Sequence, residues 1–191
     1  MEQRTNAQEA KALMLDIAAG GEAALVRLIA IYGRGLTLYA SRFLGSQSEG
    51  DDVVQETFLK VWQMAARYDP DRAAVSTWIY RITANLCIDR QRRGRVWRLF
   101  GRTDISAVAD EIPDEAPDAP TTVAARQQLA QVRRAIAGLP DRQRQAILLT
   151  AVAEMDSREI AAIMDTNQGA VEQLLVRARR TLRAQTGYDN A

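Results

Sequence analysis

"DSREIAAIMDTNQGAVEQLLVRARRTLRAQ", residues Asp156 to Gln185, decides the fold of the C-terminal half of the chain. Asp156 and Glu159 have the D-x-x-E spacing of a capping box, which begins a short helix. A break at residues 165–167 follows, and Asn167 is well placed to cap a longer helix. A short helix, a tight turn and a longer basic helix together predict a helix-turn-helix.

The longer helix has one apolar face and one free face. Its apolar residues recur at i, i+4, i+7 and i+11, which predicts a face packed on the helix before it. These residues are Val171, Leu175, Ala178 and Leu182. The arginines at 177, 179, 180 and 183 suit a helix docked on DNA, whereas Glu172 would be repelled by phosphates. A small bundle with a solvated basic face remains the alternative.

The composition favours an all-α protein. The chain has 191 residues, 47% of them hydrophobic but only 6% aromatic, which suits one medium or two small helical domains. No apolar run approaches the ~18–20 residues that span a bilayer, so no membrane insertion is expected. The N-terminus lacks a secretory pattern, and a single cysteine allows no internal disulfide. We therefore expect a cytoplasmic protein.

The absence of histidine argues against an enzyme. Without His the chain cannot build a Ser–His–Asp or Cys–His catalytic site. With one cysteine it also cannot build a zinc site of the Cys/His type. We therefore expect no catalytic residues, no metal site and no cofactor.

The charge is segregated along the chain although the formal net charge is only +1. Residues 81–102 hold seven arginines and one acidic residue, whereas residues 103–125 hold six acidic residues and no basic one. The acidic segment also contains three of the five prolines, which cannot sit inside helices. Residues 103–123 are therefore predicted to be an acidic, proline-containing linker between two small helical domains. A solvated spacer and a functional acidic strand both fit it.

The N-terminal half is predicted to be a series of amphipathic helices. Gly45 is expected to end one helix and Ser48 to cap the next. Apolar residues at steps of three and four predict the core, in three stripes: Leu25, Leu28, Ile29, Tyr32, Leu36, Tyr39 and Phe43; Val54, Phe58, Val61, Trp62 and Ala65; Trp78, Ile79, Ile82 and Leu86.

Two stretches of this half carry charge in a functional pattern. "GDDVVQETFLKVW", residues 50–62, makes one helix face acidic and polar, which fits either a solvated face or docking on a basic partner helix. "TWIYRITANLCIDRQRRGRVWRLFGR", residues 77–102, interleaves arginines with aromatic residues. That mixture is typical of proteins that grip single-stranded nucleic acid. Trp78 also fits a core position, and a membrane-surface helix is a weaker alternative.

Taken in order, these stretches resemble a bacterial RNA polymerase sigma factor of the extracytoplasmic-function (ECF) group. The resemblance rests on "DDVVQETFLKVW", "STWIYRITANLCIDRQRR" and "LPDRQRQAILLTAVAEMDSREIAAIM" followed by the basic helix. The resemblance implies promoter-specific initiation of transcription. It also implies four segments: residues 1–19 form an N-terminal extension, residues 20–102 a region 2-like domain for core binding and −10 recognition and melting, residues 103–123 the linker, and residues 124–186 a region 4-like domain for −35 recognition.

The resemblance also implies partners and sites. The partners are core RNA polymerase, promoter DNA and an anti-sigma factor, and the linker would thread through the polymerase. The core polymerase would be bound by Asp51, Asp52, Gln55 and Glu56. The −10 element would be bound by Tyr68, Ser76, Thr77, Arg81, Asn85, Arg90, Arg92 and Arg93, with Trp78 as support. The −35 element would be bound by Asn167, Gln168, Glu172, Gln173, Arg177, Arg179 and Arg180.

The sequence departs from the ECF pattern at the recognition helix. Glu172 and Leu174 stand where the pattern has Lys and Arg, and Asp165 stands where a turn glycine is common. A glutamate can accept a hydrogen bond from cytosine N4, so an altered base preference is expected.

Other readings stay open at this stage. The first alternative is a sigma mimic that occupies an anti-sigma factor without reading promoters. An ordinary helix-turn-helix repressor is a weaker alternative, because it leaves the acidic helix and the linker unexplained. Cys87 fits buried packing better than redox sensing.

Overall fold

The computed structural model describes residues 2–99 and 123–187, and the side chains of residues 8–95 and 127–187. The predicted linker therefore lies outside the described residues except at its last position, as do the side chains of Trp97, Phe100 and Arg102. No strand occurs in the described part, which confirms the all-α prediction. The helices are α1 (Glu2–Ala18), α2 (Glu22–Leu44), α3 (Gln47–Met64), α4 (Val75–Leu99), α5 (Val123–Ala137), α6 (Asp141–Ala153), α7 (Ser157–Ile163) and α8 (Gln168–Thr186), with a 3₁₀ turn at Ala65–Arg67.

Helices α2 and α3 form an antiparallel hairpin closed by a two-residue turn. Gly45 takes the left-handed conformation (φ 79°) and ends α2, as predicted. The cap of α3 is Ser46 and not the predicted Ser48, since the Ser46 hydroxyl accepts from the Glu49 amide at 3.3 Å. Because α3 begins directly after the turn, Ser48 already lies inside its first turn.

Two small residues bring the α2 and α3 backbones together. A Cβ atom at Gly50 would lie 2.2 Å from the Ser41 hydroxyl and 2.7 Å from the Ser41 amide nitrogen. Any larger residue at position 50 would therefore push the helices apart. This contact fixes how α3 presents its outer face.

The core contains most of the predicted apolar stripes. Leu28, Leu36, Tyr39 and Phe43 of α2 are buried, whereas Ile29 is 40% exposed and was wrongly assigned to the core. Helix α1, whose role the sequence did not predict, adds three fully covered side chains: Ala10, Met14 and Ile17.

Helix α2 is apolar on both sides. Its outer side exposes Val26 (65%) and Ile29. By length and mean hydropathy (1.2 over eighteen residues) it could cross a membrane, although no apolar run was predicted to be that long. In this structure its inner side lies against α1, α3, α4 and α6, and Arg27, Arg34 and Arg42 interrupt its sequence.

The C-terminal half is packed against the N-terminal half. Helix α6 lies against α2, and α7 lies against α4. At the centre of this contact Arg144, 7% exposed, donates through Nη1 to the Phe43 carbonyl at 2.8 Å. That carbonyl belongs to the last turn of α2, where helix carbonyls lack intrahelical partners and favour a cation. The guanidinium also lies 5.1 Å from the Phe43 ring centroid.

Asp141 and Arg95 complete this contact. Arg144 Nη2 donates to Asp141 at 2.9 Å, and Arg95 of α4 donates to both Asp141 oxygens at 2.6 and 2.7 Å. Burial lowers the pKa of Arg144, and the Asp141 charge opposes that shift. The side chain stays a cation, because a guanidinium keeps its proton in proteins. We call Phe43, Arg95, Asp141 and Arg144 the seam cluster.

The seam cluster predicts that a substitution of Arg144 lowers the free energy of unfolding far more than the same substitution of Arg142. Arg144→Met removes donors from the Phe43 carbonyl and from Asp141, so we expect the free energy of unfolding to fall by about 1–3 kcal/mol. Arg142→Met, at an exposed position of the same helix, is the matched control and should change it by less than about 0.5 kcal/mol. Urea denaturation measures both, and equal effects would contradict the role given to Arg144.

Candidate polymerase and nucleic-acid interfaces

The four predicted polymerase-binding residues lie together on the outer face of α3. Asp51, Asp52, Gln55 and Glu56 are all exposed, because the opposite side of α3 is buried. Gln47 donates to Asp51 at 3.1 Å, Lys60 lies 3.7 Å from Glu56, and Arg90 of α4 donates to Asp52 at 2.8 Å. The described residues hold no group of His, Cys, Asp and Glu placed to bind a metal.

Sequence reasoning missed one residue of this face. Leu59 is 55% exposed and lies one turn beyond Gln55. Leu59 falls outside the apolar stripe of Val54, Phe58 and Val61. That position is the feature of the sequence from which its exposure could have been predicted. An exposed leucine beside polar residues leaves apolar area in contact with water, which a closely packed partner would cover. We call Asp51, Asp52, Gln55, Glu56 and Leu59 the α3 face.

The loop between the 3₁₀ turn and α4, together with the first turn of α4, carries three of the residues predicted to bind the −10 element: Tyr68, Ser76 and Thr77. Tyr68 is half-buried, and its hydroxyl donates to the Ala73 carbonyl at 2.9 Å. Its ring is tilted against Trp78 at 5.5 Å between centroids, which fits the supporting role expected of Trp78. Burial raises the pKa of Tyr68, with a smaller effect from Asp69. Ser76 is partly exposed, but Thr77 is only 6% exposed, so its side chain is covered in this structure.

Helix α4 divides its predicted DNA-binding residues between two sides. Arg81, Asn85 and Arg92 are exposed and recur at i, i+4 and i+11, so they share one face. Arg93 is also exposed. Arg90 lies half a rotation from Arg81, on the side next to α3, where Asp52 holds it. The structure therefore separates Arg90 from the residues with which it was grouped.

The start of α7 and the turn before α8 contain the capping hydrogen bonds predicted from the sequence. Asp156 accepts from the Glu159 amide at 2.8 Å, and Glu159 accepts from the Asp156 amide at 3.0 Å, which confirms the capping box. Asn167 caps α8 by accepting from the Ala170 amide at 2.8 Å. Asp165 takes a left-handed conformation (φ 49°), which explains why a glycine is common there. These contacts fix the direction in which α8 leaves the turn.

The predicted −35 residues are all exposed, but they do not share one face of α8: Asn167 caps the helix, and Gln168 and Arg177 lie half a rotation apart. Gln168 donates to Glu172 at 2.9 Å, so the carboxylate at the front of the helix is already held by an amide. Gln173 and Arg177 line a hollow of about 260 Å³ together with Arg142, Ala170 and Leu174. Arg179 and Arg180 are exposed further along. Val176, 58% exposed among these polar residues, was missed by sequence reasoning.

Cys87 is a buried residue. It is fully covered by the core, and burial raises the pKa of its thiol to about 12. A thiol with such a pKa is almost entirely protonated near neutral pH and is a poor nucleophile. The structure therefore supports the packing role.

Burial of Cys87 predicts that its thiol is strongly protected from alkylation in the folded protein. At pH 8 we expect iodoacetamide to modify the folded protein at least about 100-fold more slowly than the urea-unfolded protein, in which the thiol pKa returns to about 8.5. Mass spectrometry measures both rates. Comparable rates would show that Cys87 is accessible.

Comparisons with known proteins match both halves. The sigma-70 region 2 family matches residues 28–97, and the sigma-70 region 4 family matches residues 129–182. The RNA polymerase sigma factor CnrH of Cupriavidus metallidurans is 34% identical over 181 residues, which cover 93% of this chain and 94% of CnrH. The ECF sigma factor SigW of Bacillus subtilis is 29% identical over 176 residues, 87% of this chain and 90% of SigW.

Two solved structures share the fold. CnrH in complex with the cytosolic domain of CnrY superposes with a TM-score of 0.70 at 29% identity, over 95% of this chain and 99% of that one. The sigma factor RpoE of Bartonella quintana, in complex with the anti-sigma factor NepR, superposes with a TM-score of 0.70 at 21% identity, over 86% and 97%. On the sequence relatives and both family matches, the chain belongs to the ECF group of bacterial RNA polymerase sigma factors.

Proposed function

We propose that this sigma factor binds core polymerase through the α3 face, holds the melted −10 strand with the Tyr68 loop and α4, and reads the −35 duplex with α8. The observation that supports this division is the exposure of one acidic face and two basic faces on separate helices. Most of the residues predicted for these contacts are exposed. Thr77 is covered, Tyr68 and Ser76 are partly covered, and Arg90 lies on the side of α4 next to α3.

The α3 face suits a basic helical partner. Its carboxylates attract positive charge from a distance, and Leu59 supplies apolar area that only a closely packed partner can cover. The clamp helices of polymerase, which are arginine-rich in the family, have the required charge. Core binding would therefore combine electrostatic attraction with one central apolar anchor.

The Tyr68 loop and α4 suit an unpaired strand. Arg81 and Arg92 on one face would hold phosphates, and Asn85 between them would donate to or accept from a base edge. The Tyr68 ring, held by the Ala73 carbonyl and by Trp78, offers a stacking surface for a base flipped from the duplex. Thr77, being covered, would shape the wall of the pocket.

The front of α8 suits direct base readout. The Gln168 amide and the Glu172 carboxylate form one linked unit that presents a donor and acceptors to the major groove. Arg177, Arg179 and Arg180 would supply the phosphate contacts that the departures at 172 and 174 remove.

An anti-sigma factor is the expected regulator, and the cytoplasm is the expected location. The two solved structures compared above each contain a partner: the cytosolic domain of CnrY on CnrH, and the anti-sigma factor NepR on RpoE. CnrH is also a sequence relative over nearly the whole chain. Sigma factors are binding subunits, so no enzymatic activity of its own is assigned to this chain.

Initiation in a purified system tests the whole proposal. The protein is mixed with sigma-free bacterial core polymerase and fragmented genomic DNA, and the 5′ ends of the transcripts are sequenced. We expect defined start sites that share upstream motifs. Binding to core without defined starts would favour a sigma mimic that occupies an anti-sigma factor.

Leu59 is expected to matter for core binding more than an equally apolar residue elsewhere. Leu59→Ala should weaken the affinity for core polymerase by about 10-fold, because it removes the central anchor. Leu15→Ala, at a 71% exposed position of α1, should leave the affinity within about 2-fold. Titration with fluorescently labelled protein measures both, and equal losses would exclude an anchoring role.

Glu172 is expected to set the preferred base at one position of the −35 element. Glu172→Lys should change that preference, with a loss of discrimination of about 10-fold, because the acceptor pair becomes a donor. Selection from a library randomised in the −35 element reads this out. Glu22→Lys, which makes the same charge change at an exposed site of α2, is the control. Stronger binding to every sequence with the preference unchanged would contradict base readout.

A further inference from the structure

The arginines of α4 differ in whether they form an ion pair within the described residues. Arg81, Arg92 and Arg93 are exposed and make no ion pair within the described residues. Arg90 and Arg95 are each held by a carboxylate from another helix. Arg90 pairs with Asp52 of α3 at 2.8 Å, and Arg95 pairs with Asp141 of α6 at 2.6 Å. Part of the positive charge of the predicted strand-binding helix is therefore engaged internally.

The carboxylate that holds Arg90 belongs to the α3 face. Asp52 has a 57% exposed side chain and Arg90 a 36% exposed one, so the pair lies at the surface and can separate without opening the core. One carboxylate thus faces two competing cations: Arg90 of its own chain and any basic group of a partner docked on the α3 face. Arg90 in turn faces two competing anions, Asp52 and a nucleic-acid phosphate.

We propose that Asp52 masks Arg90 in the free protein, and that a partner binding the α3 face takes over Asp52 and releases Arg90 to the nucleic acid. The proposal rests on the proposed function, because the basic partner and the nucleic-acid phosphate that compete for the Asp52–Arg90 pair both come from it.

The size of the effect follows from the exposure of the pair. Exposed ion pairs are weak, so the mask lowers the affinity for a strand by about 1.5- to 5-fold. The mask therefore weakens strand binding by the free protein and does not block it. By thermodynamic reciprocity, a bound strand strengthens docking on the α3 face by the same factor.

A double-mutant cycle on the full-length protein tests the mask. The affinity for a fluorescently labelled single-stranded DNA 20-mer is measured at low ionic strength for wild type, Asp52→Asn, Arg90→Gln and the double variant. We expect Asp52→Asn to tighten binding by about 1.5- to 5-fold in the wild-type background and to have no effect in the Arg90→Gln background.

Asp51→Asn is the matched control. It makes the same charge change one residue away, and Asp51 accepts from Gln47 and not from an α4 arginine. Equal tightening by Asp51→Asn and Asp52→Asn, or an Asp52→Asn effect that persists without Arg90, would reduce the result to general repulsion and overturn the mask. A lack of DNA binding by every variant would overturn it as well.

The two proposals can fail separately. Wild-type protein that initiates at defined sites but shows no coupling in the cycle keeps its proposed function and loses the mask. Coupling in the cycle without promoter-specific initiation would keep the mask and remove the proposed function.

Discussion

The buried guanidinium of Arg144 is the contact on which the arrangement of the two halves depends. It donates to the Phe43 carbonyl at the end of α2, and it shares Asp141 with Arg95 of α4. A cation at this point meets the negative end of a helix and a carboxylate at once. One side chain of the C-terminal half thereby fixes the position of α6 relative to α2 and α4, and with it the direction in which α8 faces.

Ion pairs between helices also occur at the surface. The chain is almost neutral overall, but its charges are segregated, and the fold brings segregated charges into pairs across helices. Asp52 meets Arg90 and Asp141 meets Arg95, which joins residues 38 and 46 positions apart. Part of the charge exposed on α3 and α4 is therefore neutralised by ion pairs within the protein. Since exposed pairs exchange readily, an outside partner can replace an inside one at small cost.

The local features could be predicted because neighbouring residues determine them. The capping box at Asp156, the cap at Asn167 and the end of α2 at Gly45 need only a few adjacent residues, and all are present. The cap at Ser46 was misplaced by two residues because serines stand at both positions. The wrong core assignment of Ile29 has a similar origin: a helix stripe is wide, and its edge depends on what packs against it.

The sequence alone determined an all-α chain, a helix-turn-helix, an acidic helix, an arginine-rich helix and the family to which they belong, because periodicity and short-range chemistry encode these features. Only the tertiary structure decided that α1 belongs to the core, that Thr77 is covered, that Leu59 and Val176 are exposed, and that Arg90 faces Asp52. Those facts depend on how each helix is rotated against its neighbours. That rotation is set by close contacts between distant residues, such as Ser41 with Gly50, which no local pattern records.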